Sequence, residues 1–437
     1  MSDHDPGKRH RSSDQHSTTV SVGVPVRRSP GRDTLVALGL ALGPAVALGL
    51  ARFAYALLLP PMRSSLHWSF ATAGAMNTAN AAGYLLGALA AATVSRRCGG
   101  RRVFVGGMIA TGVFLLASAA TGDVTILLAL RVLAGASGAA SLIVGGALAV
   151  QLGHGKPPAR SALLLGVYFG GGGLGIALSA VAIPPLLAAL GPAAGWRWGW
   201  VLLAMITALS VLAATPAARR TPEPAAGQRR ERFPVRKIAV VLAGYTAFGA
   251  GYIAYMTFII AYLKAGGAGT AEVSAFWAVL GVAAIAGGFG WGPMLGRLRG
   301  GRGPAVLMGV VTVGALLPLL TRAIPVAFAS ALLFGASFLA VVTAVTTVAR
   351  TALRPDQWTA AIATLTTGFA LGQCLGPILA GVLADSATGV RAGLLLSVII
   401  LAVGALLCLA QPVQNPDKSA AVTGPHLTPS TTAKATQ

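Results

Sequence analysis

Apolar runs of roughly 20 residues recur from Leu35 to Ala410, separated by short polar loops. A helix needs about 20 apolar residues to cross the hydrocarbon core of a bilayer. Inside lipid every backbone polar group must be satisfied within its own helix or in a closed barrel. Barrel strands would alternate apolar and polar residues in segments of about ten, and these runs do not alternate. The chain therefore reads as an all-α, multi-pass membrane protein. Composition agrees: 10% of the 437 residues are charged, against about 25% in an ordinary globular domain.

The runs predict twelve transmembrane helices, at 35–61, 70–94, 103–121, 124–152, 161–190, 198–214, 238–262, 273–295, 304–320, 325–348, 360–384 and 392–410. The polar stretch 215–237 divides them six and six and reads as a cytoplasmic linker between bundles 35–214 and 238–410. Residues 1–34 and 411–437 are polar and read as disordered cytoplasmic tails. The first apolar run starts late and is too long for a signal-peptide core, so it is expected to be retained.

The net charge of +22 raises the possibility of nucleic acid, but its placement argues against that. With both termini in the cytoplasm, twenty-six Lys and Arg fall in cytoplasmic tails and loops and five in outer loops. That is the positive-inside bias of a multi-pass protein, here expected in a bacterial cell membrane, with lipid as partner and no nucleic acid. Trp68, Trp196, Trp198 and Trp358 flank helix ends, as interfacial anchors do. Cys98, Cys374 and Cys408 make no metal or disulfide spacing.

The halves repeat. Arg96-Arg97-Cys98-Gly99-Gly100-Arg101 returns as Arg297-Leu298-Arg299-Gly300-Gly301-Arg302, Leu133-Ala134-Gly135-Ala136-Ser137 as Leu333-Phe334-Gly335-Ala336-Ser337, and Gly171-xx-Leu174-Gly175 as Gly372-xx-Leu375-Gly376, at offsets of 201, 200 and 201. Two six-helix repeats with a site between them near mid-membrane are an architecture of secondary transporters.

Two residues stand out inside the apolar runs. Arg52 lies nine residues before Pro61 and Arg131 eight after Asp123. At about 1.5 Å per residue both sit about 12–14 Å below the outer end. No Asp, Glu, Lys or His shares that depth, and an intramembrane ionisable residue is a functional-site hypothesis. Two readings stand for each: it binds an anionic substrate, or it caps carbonyls at a break in a Gly-rich helix. The second half has no equivalents: aligning Gly49 with Gly251 places Ala254 opposite Arg52, and the helix-4 offset of 200 places Ala331 opposite Arg131.

Gly49-Leu50-Ala51-Arg52-Phe53-Ala54-Tyr55 runs into Leu59-Pro60-Pro61-Met62, and Asn80-Ala81-Ala82-Gly83-Tyr84-Leu85-Leu86-Gly87 follows in helix 2. Gly251-Tyr252 and Gly372-Gln373-Cys374-Leu375-Gly376-Pro377 add to these. On these residues the chain resembles the major facilitator superfamily over its whole membrane region, and within it the bacterial YbfB/YjiJ branch. The loop motif after helix 2 is matched by Gly99, Arg101 and Arg102, with Arg96 where an acidic residue is usual. The helix-4 motif is kept as Arg131-xxx-Gly135-xx-Gly138. The resemblance implies two pseudo-symmetric six-helix bundles rocking about a central site.

Tyr245, Tyr252, Tyr255 and Tyr262 form one stripe on helix 7, which can be packing or a ligand wall. Asn77, Asn80 and Tyr84 share a face of helix 2, and Gln373 lies in helix 11; each can serve helix–helix bonding or a ligand. The expected substrate-binding set is Arg52, Tyr55, Asn77, Asn80, Arg131, Tyr252, Tyr255 and Gln373. Gly99, Arg101, Arg102, Gly135, Gly171, Gly175, Gly372, Gly376 and Pro377 are expected to form the gating interface, because small residues let helices approach and slide. The glycines of helix 5 lack the strand and Lys-Ser/Thr of a phosphate loop. No catalytic constellation is present, and neither a metal nor a cofactor is expected. The reading is a monomeric secondary transporter of a small organic molecule, with export of an organic anion as its sharper form. An exporter of apolar drugs with structural arginines and a transporter-like sensor that moves nothing are the rivals.

Overall fold

The computed structural model describes residues 30–223 and 233–413; most of both expected tails and the middle of the expected linker lie outside them. Among the described residues all regular structure is helical. The first span is compound. α1 (Pro30–Pro44) passes into a π-helical stretch, Ala45–Phe53, and α2 (Tyr55–Leu66) completes it. α3 (Phe70–Cys98) starts at Ser69, whose hydroxyl accepts from Thr72 N. α4 (Gly100–Ala119) and α5 (Val124–Gly153) follow, the latter capped by Asp123.

α6 (Pro158–Arg220) has 63 residues but holds two crossings. Gly191 takes φ 70° and ψ 173°, a backbone only glycine adopts readily. The chain reverses there, so that a Cβ on Gly195 would lie 3.0 Å from the Leu187 side chain. The second half runs α7 (Ala239–Ala265), α8 (Thr270–Gly290), the short α9 (Gly292–Leu295), α10 (Arg302–Leu320), α11 (Ile324–Phe338), α12 (Ala340–Ala352), α13 (Trp358–Ala384) and α14 (Val390–Leu409).

Among the described residues ten helical stretches are long and apolar enough to cross a membrane. α6 supplies two crossings, and the 29-residue α3 adds the twelfth. α3 is less apolar because it carries Asn77, Thr78 and Asn80 toward its neighbours. The helix begins at Pro30 rather than Leu35, and Asp33 is buried under Lys156, whose Nζ lies 2.6 Å from it. The expected tenth helix is two segments meeting at Leu339. Trp68 and Trp196 are buried, unlike the lipid-facing anchors expected there, whereas Trp198 is exposed.

Lipid supplies no hydrophobic force between helices, so close backbone approach at small residues does much of the packing. It does so twice over. A Cβ on Gly87 of α3 would lie 2.1 Å from the Ala136 carbonyl of α5, and one on Gly287 of α8 would lie 1.8 Å from that of Ala336 on α11. The offset is 200 residues on both sides. Likewise Gly175 meets the Ala45 carbonyl, and Gly376 meets that of Ala250. The two six-helix bundles are therefore pseudo-symmetric copies.

The bundles meet along α3 with α13, α6 with α8, and α2 with α7. The loops that follow α3, α5 and α8 define a basic end. At the opposite end the Asp385 carboxylate accepts from Phe70 N at 2.7 Å and Ala71 N at 2.9 Å. A side chain of the second bundle thereby caps the start of α3 in the first, where the helix dipole favours a negative charge. Nearer mid-membrane, Ser274 Oγ donates to the Ala180 carbonyl and Trp277 Nε1 to Ser179 Oγ.

Candidate functional site

The π-helical stretch carries Arg52 and presents a carbonyl to Arg131. A π-helix widens the hydrogen-bond ladder and leaves carbonyls for outside donors. Arg131 of α5 takes one: its Nη1 donates to the Ala51 carbonyl at 2.6 Å. Its Nε donates to the Met76 carbonyl at 3.4 Å, and its Nη2 to Asn77 Oδ1 at 3.3 Å. Its guanidinium lies 5.1 Å from the centre of the Tyr55 ring and 5.5 Å from that of Trp200, within cation–π range. Arg131 is 1% exposed and ties the first span, α3 and α5 together.

Arg52 is also 1% exposed but is held differently. Its Nη2 donates across the bundles to Gln373 Oε1 at 2.7 Å. Its guanidinium lies 5.5 Å from the Tyr84 ring centre, and its Nε is buried with no partner. Arginine can only donate, so the Gln373 oxygen must face it, and the amide nitrogen then donates to Tyr252 Oη at 2.6 Å. Among the described residues neither arginine is paired with a carboxylate.

The expected site residues separate into three groups. Arg52, Gln373 and Tyr252 form one chain across the bundle interface. Asn77 is a second link, donating from Nδ2 to Thr257 Oγ1 at 2.6 Å. Arg131, Tyr55 and Asn80 brace the first bundle: Tyr55 Oη donates to the Ala73 carbonyl, and Asn80 Nδ2 to that of Arg131. Tyr255 sits apart. It bonds Ser330, which donates to Gly314, and it stacks on Phe334 within the second bundle. A residue three positions from Tyr252 on a helix points to a different neighbour, which the stripe pattern does not resolve.

The glycine set also divides. A Cβ on Gly171 would lie 1.8 Å from the Ala41 carbonyl, and one on Gly372 would lie 2.0 Å from that of Thr246. Gly135, Gly175 and Gly376 likewise meet backbone of their own bundle. These five pack within bundles rather than between them. Between bundles, Gly74 meets the Pro377 carbonyl, Gly381 meets that of Phe70, Gly173 and Gly281 meet each other, and Gly166 meets the Phe289 ring. Pro377 is thus the one member of the set found at such an approach.

The loop motif recovers its missing acid from elsewhere. Glu223, just beyond α6, accepts from Gly100 N at 2.9 Å and Arg101 N at 3.2 Å, and Arg101 Nε donates to the Thr221 carbonyl. Gly99 turns the chain there at φ 86°, and Arg102 is exposed.

Sequence reasoning missed an aromatic wall beside the chain across the interface. Phe248, Tyr252 and Phe369 stack with ring centroids 5.1 and 5.5 Å apart, and Phe338 joins Tyr252 at 6.0 Å and Phe53 at 5.9 Å. The signal was there: Phe248 and Phe369 each lie four residues before a residue already singled out, Tyr252 and Gln373. Two crevices of about 250 and 290 Å³ open toward the opposite end, along Tyr262 and Arg322 and along Pro61 and Lys264, and neither reaches Arg52. Among the described residues no three His, Cys, Asp or Glu side chains come together as metal ligands.

Comparison with known proteins agrees with this fold. A single-site mutant of the nucleoside transporter NupG superimposes with a TM-score of 0.67 at 14% identity, covering 86% of this chain and 98% of that one. A bacterial homologue of the human lysosomal transporter Spinster, inward-facing and occupied, does so with a TM-score of 0.67 at 17% identity, covering 88% and 97%. At such identities the likeness speaks for the fold. No curated protein sequence matches. The family model described as "Uncharacterised MFS-type transporter YbfB" matches residues 44–409, and the chain belongs to that family of major facilitator transporters.

Proposed function

We propose that this transporter carries a small organic anion by alternating access, with Arg52 as the residue that holds the charge. One observation carries the reading: a buried guanidinium at the bundle interface with one hydrogen bond, an unpartnered Nε and no carboxylate. A buried charge is costly unless paired, and an anionic substrate is the missing partner. Arg131's three bonds support a bracing role for that residue, and with it half of the rival reading in which arginines are structural. The bare Nε of Arg52 argues against extending that reading to both.

The basic end is assigned to the cytoplasm on the charge bias, and the direction is outward. One elementary charge is worth about 2.3 kcal/mol per 100 mV, so an interior-negative potential drives a monoanion out of the cell. No Asp or Glu joins the central set to carry a proton for import. Proteoliposomes loaded with radiolabelled monocarboxylates, with membrane potential set by a potassium gradient and valinomycin, test this. Release should accelerate when the basic-end side is negative and vanish in Arg52→Gln. Release indifferent both to potential and to Arg52→Gln would refute anion transport.

A further inference from the structure

The Nε–H of an arginine and one N–H of its Nη2 point in parallel and match the two oxygens of a carboxylate. In Arg52 this fork is half filled. Nη2 is taken by Gln373 Oε1 at 2.7 Å, and Nε is buried and bare. A glutamine amide offers one oxygen, so it fills one prong and leaves the other. We infer that the Arg52 fork is a carboxylate site, and that Gln373 occupies half of it as a stand-in which the substrate's carboxylate displaces.

The inference rests on the anion reading above and deepens it. It names the substrate head as a carboxylate, whose two coplanar oxygens match the planar fork and leave none over; a phosphate or sulfonate also pairs with a guanidinium side-on but brings a further oxygen that this fork does not satisfy. It also gives Gln373 a role in coupling. Gln373 belongs to the second bundle and Arg52 to the first, so their bond helps hold the bundles together when no substrate is bound. A carboxylate that takes both prongs frees Gln373, and that link between the bundles is lost as the charge is satisfied. Tyr252 holds the amide nitrogen at 2.6 Å and would keep the freed side chain to one side. Tyr252 beside the amide, with Phe369 and Phe338 packed on it and Phe53 on Phe338, suits a flat apolar body behind the carboxylate.

Benzoate and its neutral isostere benzamide are the probes, with inorganic phosphate as a third, titrated by calorimetry into the purified full chain. Benzoate should bind, and benzamide and phosphate should not. Removing the competing amide should tighten benzoate about tenfold in Gln373→Ala, the scale of one hydrogen bond to a charged group. Gln373→Asn, whose amide is one methylene short of the fork, should tighten it likewise and stands in if the alanine variant folds poorly. Gln373→Glu places a two-oxygen acceptor in the fork and should abolish benzoate binding while raising the melting temperature. Unchanged or weaker benzoate affinity in both Gln373→Ala and Gln373→Asn, or parental affinity in Gln373→Glu, would overturn the stand-in role. If Arg52→Gln abolishes binding in that same experiment, the anion reading survives alone. If the parent ignores benzoate or takes up phosphate equally well, the carboxylate site itself is wrong.

Discussion

Placing a methyl group at the interface between the bundles should unseat one conformation without unfolding the protein. A Cβ on Gly74 would lie 2.3 Å from the Pro377 carbonyl oxygen, 2.9 Å from its carbon and 3.3 Å from Phe258 Cζ, all on the other bundle. The nearest two are backbone atoms, so no flexible side chain can move aside. Overpacking of this kind costs about 1–3 kcal/mol. The cost falls only on the state in which α3 and α13 are closed at this end, because a separated interface leaves the methyl nothing to strike. A differential cost of that size shifts the equilibrium toward opening by roughly 5- to 150-fold. Gly171→Ala is the control: its Cβ would lie 1.8 Å from the Ala41 carbonyl, a contact inside the first bundle that persists in every state. The assay is the labelling rate of a cysteine at Ile260, which is buried near this same end, in a chain whose three native cysteines are replaced. Gly74→Ala should speed labelling with little change in melting temperature, and Gly171→Ala should lower the melting temperature with little change in labelling. Equal effects from the two, or faster labelling only in Gly171→Ala, would refute the assignment of the moving interface.

Asp385→Asn keeps one acceptor but loses the charge that caps α3. With such caps worth up to about 2 kcal/mol in partly buried geometry, Ile260→Cys labelling should rise by up to about 30-fold, and Asp385→Glu should restore most of the closure. Arg131→Lys loses the fork and leaves the Ala51 carbonyl bare, so it should cost about 1–3 kcal/mol of stability, whereas Arg52→Lys should abolish anion transport with a smaller loss; thermal unfolding beside proteoliposome flux separates the two. In intact cells an impermeant thiol reagent should label Ser64→Cys and spare His154→Cys, and the reverse pattern would invert the orientation.

The fold was legible in the sequence because its two strongest signals are local. Apolar runs of membrane length are read residue by residue, and the 200-residue offset becomes in space the paired approaches Gly87–Ala136 and Gly287–Ala336. The break at Leu339 has no Pro or Gly at that position to announce it, whereas Pro44 and Gly49 weaken the ladder of the first span, so that a break there was legible but not its π-helical form. The tertiary demand of Arg131 for a carbonyl accompanies that form. The site was legible as a list but not as a set of partnerships. Tyr252 and Tyr255 are three residues apart and equally central, yet one meets Gln373 and the other Ser330. The gating glycines failed for a related reason. A small-residue pattern announces close approach without naming the partner helix, and Gly171 and Gly372 approach helices of their own bundles.

The pseudo-symmetry breaks where the chemistry is. Aligning Gly49 with Gly251 puts Ala254 where the first half has Arg52, the offset that pairs Gly87 with Gly287 puts Ala331 where it has Arg131, and both alanines are buried. The second bundle answers a buried cation with a neutral amide and a row of rings. A carrier that moves a charged substrate one way must also return empty, and an arginine left bare during the return would bear the full cost of a buried charge. A carboxylate partner would remove that cost but would hold the arginine too firmly for a substrate of the same charge to compete. An amide satisfies one prong of the fork, less strongly than an ionised acceptor would, and so leaves a carboxylate something to gain. On the proposed anion reading, a one-sided charge facing a glutamine thus lets both the loaded and the empty carrier cross.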